Sequence, residues 1–286
     1  MVEPDKSLPI LDSHMHLDPG GDPAGAVRRF RAEGGTHLII VHKPYDSIPI
    51  SSLQDYKLSF QQTIEMTRKA KEGGIRAYCV VGPYPGELPH LAERMGLNAA
   101  ADLQRSALDA AVELVENGEA VGLGEIGRIH FPVEDGIQDV CDSLMEYSME
   151  RCREIDCPVV LHTDSPSDNP NLMDHLARIS DRTGLARYRV VKHYSSGDMV
   201  DPSFNKGLSV SVLSSRKNIR AGLSYGPEFL LETDYIDSRQ RPDVVMPPDT
   251  VPKKIKWAYR TGLMDESVHA RMMIDHPERV FGIDMS

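Results

Sequence analysis

Eight short apolar runs rich in β-branched residues, separated for the most part by longer amphipathic segments, constrain this chain more than any other feature. The runs fall at 8–18, 36–43, 75–82, 120–126, 158–163, 187–194, 208–214 and 228–236. The intervening pattern predicts helices near 22–33, 53–72, 100–116, 134–155, 170–182 and 251–272. Several of these end in glycine where a helix C-terminus favours it: Glu33-Gly34-Gly35, Glu72-Gly73-Gly74, Asn117-Gly118 and Thr183-Gly184. The first three recur about 40 residues apart, the size of a strand-plus-helix unit. Eight such units define an α/β fold of the (β/α)8 TIM-barrel type. A doubly wound open sheet would carry a glycine-rich fingerprint after its first strand, and Asp18-Pro19-Gly20-Gly21-Asp22 does not fit one. No composition break divides the chain, and the proline-rich stretch from Arg241 to Pro252 reads as an extended loop. The expectation is one barrel domain over residues 1–286.

The formal net charge of −11 makes the surface as a whole repel nucleic acid and anionic membrane. A polyanionic substrate therefore needs local positive charge, from metal ions or from a few Lys and Arg in a cleft. Of the four cysteines, Cys79 sits in an expected strand and Cys141, Cys152 and Cys157 on an expected helix. None forms a Cys-x-x-Cys pair, so they read as reduced, buried thiols. Met1-Val2-Glu3-Pro4-Asp5-Lys6 has no apolar signal region, and no run approaches the roughly 20 apolar residues of a membrane span. The expected location is the cytosol.

In a barrel the chemistry collects at the C-terminal ends of the strands. The first strand reads Leu11-Asp12-Ser13-His14-Met15-His16-Leu17-Asp18. Alternate residues share a face, which places Asp12, His14, His16 and Asp18 together, two imidazoles for a divalent ion with carboxylates to orient them. Strand four ends Gly124-Glu125-Ile126-Gly127, strand five at His162, strand six at His193 and strand eight at Glu232-Thr233-Asp234. Taken singly, a strand-end His is commonly structural and an Asp commonly a helix cap. Together they form one set around a single mouth. Such ligands hold one or two divalent ions and support hydrolysis. Glu125 is placed to bridge the ions, and Asp234 to touch the first ion and act as general base.

These residues resemble the motifs of TatD-related hydrolases of the metal-dependent amidohydrolase superfamily. The similarity runs in order from about residue 8 to Pro277-Glu278-Arg279-Val280-Phe281-Gly282. It implies a (β/α)8 barrel with two metal ions and a 3′–5′ exodeoxyribonuclease type of phosphodiesterase activity. By the same resemblance, His14 and His16 with Asp234 bind one ion, His162 and His193 the other, and Glu125 bridges. The chain departs from the family pattern at Asp164, where an Arg is common, and at Arg128-Ile129, where an apolar-Asp pair is common. After the strand-six His it reads Tyr194-Ser195-Ser196-Gly197 in place of an aromatic-Ser-Gly turn. An acid in place of an Arg disfavours an anionic substrate.

His42 and Lys43 end strand two, beside the expected mouth, where they contact substrate or simply meet solvent. Arg128 and His130 lie on the loop after Glu125 and are candidates to face an anionic substrate. Lys192 must point away from His193, so Glu125, not a carbamylated lysine, takes the bridging place. Ile255, Trp257 and Tyr259 have helical spacing and are expected to pack the last helix on the barrel. Lys253, Lys254 and Lys256 read as a solvated helix face, with guidance of a nucleic-acid end as the alternative.

The leading reading is a two-metal phosphodiesterase acting on a small molecule or a nucleic-acid end. The first alternative is hydrolysis of a small amide, cyclic amide or lactone, favoured by Asp164 and the acidic surface. The second is a non-catalytic barrel that keeps metal for stability and serves as a binding partner. Ligand types do not distinguish Zn, Mn, Mg, Fe, Co or Ni. No interface signal defines an oligomeric state or a stable protein partner.

Overall fold

The computed structural model describes residues 8–134, 136–241 and 243–286. The N-terminal reading at 1–6, Asp135 in the expected helix over 134–155 and Pro242 in the proline-rich stretch lie outside the described residues. The strands are β1 (Leu11–His16), β2 (His37–Val41), β3 (Arg76–Val81), β4 (Gly122–Gly127), β5 (Val159–His162), β6 (Val190–Ser195), β7 (Ser209–Leu213), β8 (Leu230–Glu232) and β9 (Tyr235–Ile236). All pair in parallel, in the order β8-β7-β6-β5-β4-β3-β2-β1-β9. The helices are α1 (Pro23–Ala32), α2 (Leu53–Glu72), α3 (Leu88–Met95), α4 (Leu97–Glu116), α5 (Ile137–Glu154), α6 (Leu172–Thr183), α7 (Pro202–Asn205), α8 (Arg216–Leu223), α9 (Thr250–Arg260), α10 (Glu266–Ala270) and α11 (His276–Phe281). This is the (β/α)8 barrel that the alternation predicts.

The eighth strand of the barrel is two pieces. β8 pairs with β7 and β9 with β1, so the pieces close the ring from its two sides. Thr233 and Asp234 leave the ladder between them because the buried Asp12 carboxylate accepts from Thr233 N (3.2 Å) and Thr233 Oγ1 (2.6 Å). Asp234 then adopts a left-handed backbone (φ 47°), tolerated by a short polar side chain. Its N–H donates to His14 O at 3.0 Å. The seam that shuts the barrel therefore also places Asp234 beside His14.

Local signals set the surrounding helices. In α1, Asp22 accepts from Gly25 N at 2.9 Å and Pro23 occupies the first turn, where its missing N–H costs no hydrogen bond. Ala26, Val27 and Phe30 form the buried stripe. Gly34 ends the helix with φ 91°. Truncating the fully buried Phe30 to Ala would cost about 3–5 kcal/mol. The strands, covered on both faces, are almost wholly buried, as parallel strands require.

The expected helix over 251–272 is broken at Thr261-Gly262 (Gly262 φ 71°) and restarts where Asp265 caps α10 through Val268 N at 2.8 Å. The short α3, α7 and α8 carry too few turns for a clear apolar period. All four cysteines are free and buried, although Cys157 lies in the turn after α5. Ile255 and Tyr259 pack inward as expected, whereas Trp257 is half-buried against α8. No described helix is long and apolar enough to cross a membrane.

Candidate metal centre

The structure brings His14, His16, Glu125, His162, His193 and Asp234 together at the C-terminal end of the strands. Glu125 is the hub. Its Oε1 lies 2.7 Å from His14 Nε2, 3.5 Å from His16 Nε2 and 3.6 Å from His193 Nε2, while Oε2 lies 3.2 Å from His162 Nδ1. Asp234 Oδ1 is 3.3 Å from His16 Nε2 and 3.7 Å from His14 Nε2. The ligand atoms of His14, His16, Glu125 and Asp234 all lie within 4.8 Å of one another, and so do those of Glu125, His162 and His193. Glycines make room for the hub. A Cβ on Gly127 would stand 2.1 Å from His162 O, and one on Gly124 2.8 Å from the Val160 side chain. Only glycine lets β4 approach β5 this closely.

The donor set fits divalent metal. Burial would push the Glu125 carboxyl up, but His193, His14, His16 and His162 hold it well below its usual range, ionised. Burial, with the His14 imidazole, keeps His193 well below its usual value, so it offers a neutral lone pair. For His16, burial opposes protonation, yet Asp234 and Glu125 outweigh it and raise the group to about 10. His16 Nδ1 lies 2.9 Å from Val41 O, to which it donates, which aims the Nε2 lone pair into the cluster.

Three supporting contacts were not legible in the sequence. His130 Nδ1 lies 2.8 Å from His162 Nε2, and Tyr84 Oη lies 3.5 Å from the same nitrogen. Together they leave Nδ1 of His162 turned to Glu125. Glu232, buried and pushed up to about 8 by that burial, has Oε1 3.6 Å from His193 Nδ1 and accepts from Tyr194 N at 2.6 Å. Tyr194 itself is left-handed (φ 54°), a strained conformation for an aromatic residue, and its ring is exposed at the mouth. The position of Glu232 two residues before Asp234 is the one signal that could have singled it out.

Other expectations change. Asp12 does not orient an imidazole. Its carboxylate takes the backbone N–H of His14 (3.1 Å) and clamps Thr233. Asp18 pairs with Lys43 Nζ at 2.5 Å and stands outside the cluster. His42 neither contacts substrate nor meets solvent. It is buried against Phe60, faces Thr63 Oγ1 at 2.9 Å, and burial holds it down to about 3, neutral. Asp164 is not a free acid, because Arg128 Nε lies 3.2 Å away and Asn169 donates to it at 3.1 Å. Arg128 also pairs with Asp142. Lys192, expected to point away from His193, lines the same cavity, because its buried Nζ turns back to donate to His193 O at 2.5 Å.

A cavity of about 550 Å³ opens beside the cluster. His162, His193 and Asp234 form one wall, and Asp164, Tyr194 and Asn218 stand among its other lining residues.

A parallel barrel with a buried His–Glu–Asp set at its strand ends defines a metal-dependent hydrolase of the amidohydrolase type. The family model of TatD-related DNases matches residues 11–282, and the chain belongs to that family. It is 30% identical over 286 residues to an uncharacterised protein of Methanocaldococcus jannaschii, with 98% of each chain covered. Among solved structures it is similar to the TatD-like protein of Archaeoglobus fulgidus (16% identity, TM-score 0.64, 96% of this chain and 100% of that one). It is also similar to a TatD homologue of Escherichia coli (19%, 0.65, 96% and 98%). A lactonase of Listeria monocytogenes shares the fold as well (16%, 0.61, 96% and 95%).

Proposed function

We propose that this chain hydrolyses phosphodiesters at a two-metal centre, removing nucleotides from the 3′ end of single-stranded DNA. The observation that carries this reading is the division of Glu125, with Oε1 toward His14 and His16 and Oε2 toward His162. His14, His16 and Asp234 would hold one ion and His162 and His193 the other, with Glu125 within reach of both groups of ligands. Divalent ions, once bound, supply Lewis acidity and bring the pKa of water near neutrality. The chain does the rest. Asp234, on the cavity wall, accepts the proton of the attacking water. Glu232 and His130 fix the rings of His193 and His162, and the cavity orients the diester. Arg128, which pairs with Asp164 as well as Asp142, lessens the repulsion that an acid at that position would exert on a phosphate.

A lactone or cyclic amide is the second reading, favoured by the small cavity, which Pro166, Met199 and Leu213 help to line. The test is elemental analysis of the purified protein together with turnover of bis(4-nitrophenyl) phosphate, 3′-labelled single-stranded DNA and a panel of lactones. Two ions per chain with diester cleavage support the first reading. Lactone turnover without diester cleavage moves the assignment to the second.

A further inference from the structure

We infer that the outer face of α8, joined by Trp257 and Lys254 of α9, is a docking surface for the strand of a single-stranded nucleic acid beyond the nucleotide being cleaved. The inference rests on the phosphodiesterase reading. Arg216, Lys217 and Arg220 line a separate depression of about 660 Å³ with Trp257 on its opposite side. The guanidinium carbons of Arg216 and Arg220 lie 5.5 and 5.8 Å from the Trp257 ring centroid. One indole therefore gathers two positive charges a helical turn apart. Partial burial, and then Arg216 and Lys253, hold the Lys254 ammonium below its usual value, with Asp249 offsetting part of the effect.

The neighbouring lysines are neutralised: Lys253 pairs with Asp249 at 2.7 Å and Lys256 with Glu33 at 2.9 Å. Arg216, Lys217, Arg220 and Lys254 have no carboxylate within ion-pair reach among the described residues. In a chain of net charge −11, two guanidinium groups at one aromatic ring with Lys217 and Lys254 nearby are a local reversal of sign. Their position identifies the occupant. Asn218, on the same first turn of α8, lines the main cavity, so the patch begins where a strand leaving that cavity would emerge. A polyanion with phosphates for the guanidinium groups and bases for the indole matches this chemistry.

The test uses metal-loaded protein and phosphorothioate oligothymidylates of about 4 and about 20 nucleotides, followed by fluorescence anisotropy. The longer strand should bind about tenfold or more tightly, with a logarithmic salt slope of about −3 from four neutralised phosphates. Arg216→Glu with Arg220→Glu should remove most of that advantage, and Arg216→Lys with Arg220→Lys should retain it. Turnover of bis(4-nitrophenyl) phosphate, too small to span both surfaces, controls for folding and for the centre. Equal binding of both lengths, or a charge-reversed variant that binds the long strand as the wild type does, overturns the inference. So does charge-dependent binding to phosphatidylserine vesicles in place of DNA. Loss of diester cleavage in the wild type, with length-dependent binding kept, overturns the activity reading and leaves the surface standing.

Discussion

On the β1/β8 side of the centre, His14, His16 and Asp234 are buried and tied to backbone. His16 is bonded to Val41 O, and Asp234 N to His14 O. On the β5/β6 side, His162 is held by the side chains of His130 and Tyr84 and is more open, with 18% of its side chain exposed against 1% for His14. The first side is built from barrel closure and cannot move without opening the seam. The second is braced by side chains from the loops after β3 and β4 and can be tuned residue by residue. Side-chain support of this kind suits the part of a site that adapts to a substrate, and the cavity lies there.

Glu125→Gln removes the charge both sides share. Diester turnover should fall by about a thousandfold, roughly 4 kcal/mol, and bound metal should be lost from both sides on elemental analysis. Loss of one ion alone would break the comparison. Asp12→Ala strikes the first side through its clamp, leaving the N–H groups of His14 and Thr233 without their acceptor. Thermal and urea melts should report about 3 kcal/mol of lost stability.

Glu87 lies next to the second side, its N–H donating to Tyr84 O at 3.1 Å. It ends the turn at Pro85–Glu87 after Tyr84, in a layer where Gln104 donates to Tyr84 O at 3.3 Å and to Tyr56 Oη at 3.4 Å. Burial pushes its carboxyl up to about 7 from 4.5. The raised value means that its protonated form stabilises the fold, fully so below pH 4.5, and that this contribution is lost as pH rises through about 7. Relative to Glu87→Gln, the wild type should lose on the order of 3 kcal/mol across that window, measured by chemical melts at stepped pH. A flat difference would show that Glu87 is ionised in the fold. Last, His130→Ala should weaken metal binding on the His162 side about 10- to 100-fold in a chelator competition, with the other side unchanged. His130→Gln, which keeps a hydrogen-bonding group there, should recover part of it. Equal weakening on both sides would mean that the loop acts on the whole mouth.

The sequence determined the repeating unit and the ligand types. Parallel strands must be reached by long crossovers, so alternating apolar runs and amphipathic segments encode the barrel locally. Likewise His14 and His16 share a face by strand geometry alone, and Gly124-Glu125-Ile126-Gly127 carries its own small-residue clearance. What lay beyond reach were contacts between residues far apart in sequence. Asp12, Asp18 and His42 look like site residues by type and spacing, yet tertiary neighbours assign them to a clamp, an ion pair and the core. Asp164 looks like a repelling acid until Arg128 is seen beside it. His130 meets His162, and Arg216 and Arg220 meet Trp257, only once the strands have closed into a ring. Local pattern fixes which face a side chain takes. Its charge state and its partner depend on burial and on what the rest of the chain brings within a few ångströms, and those follow from closure.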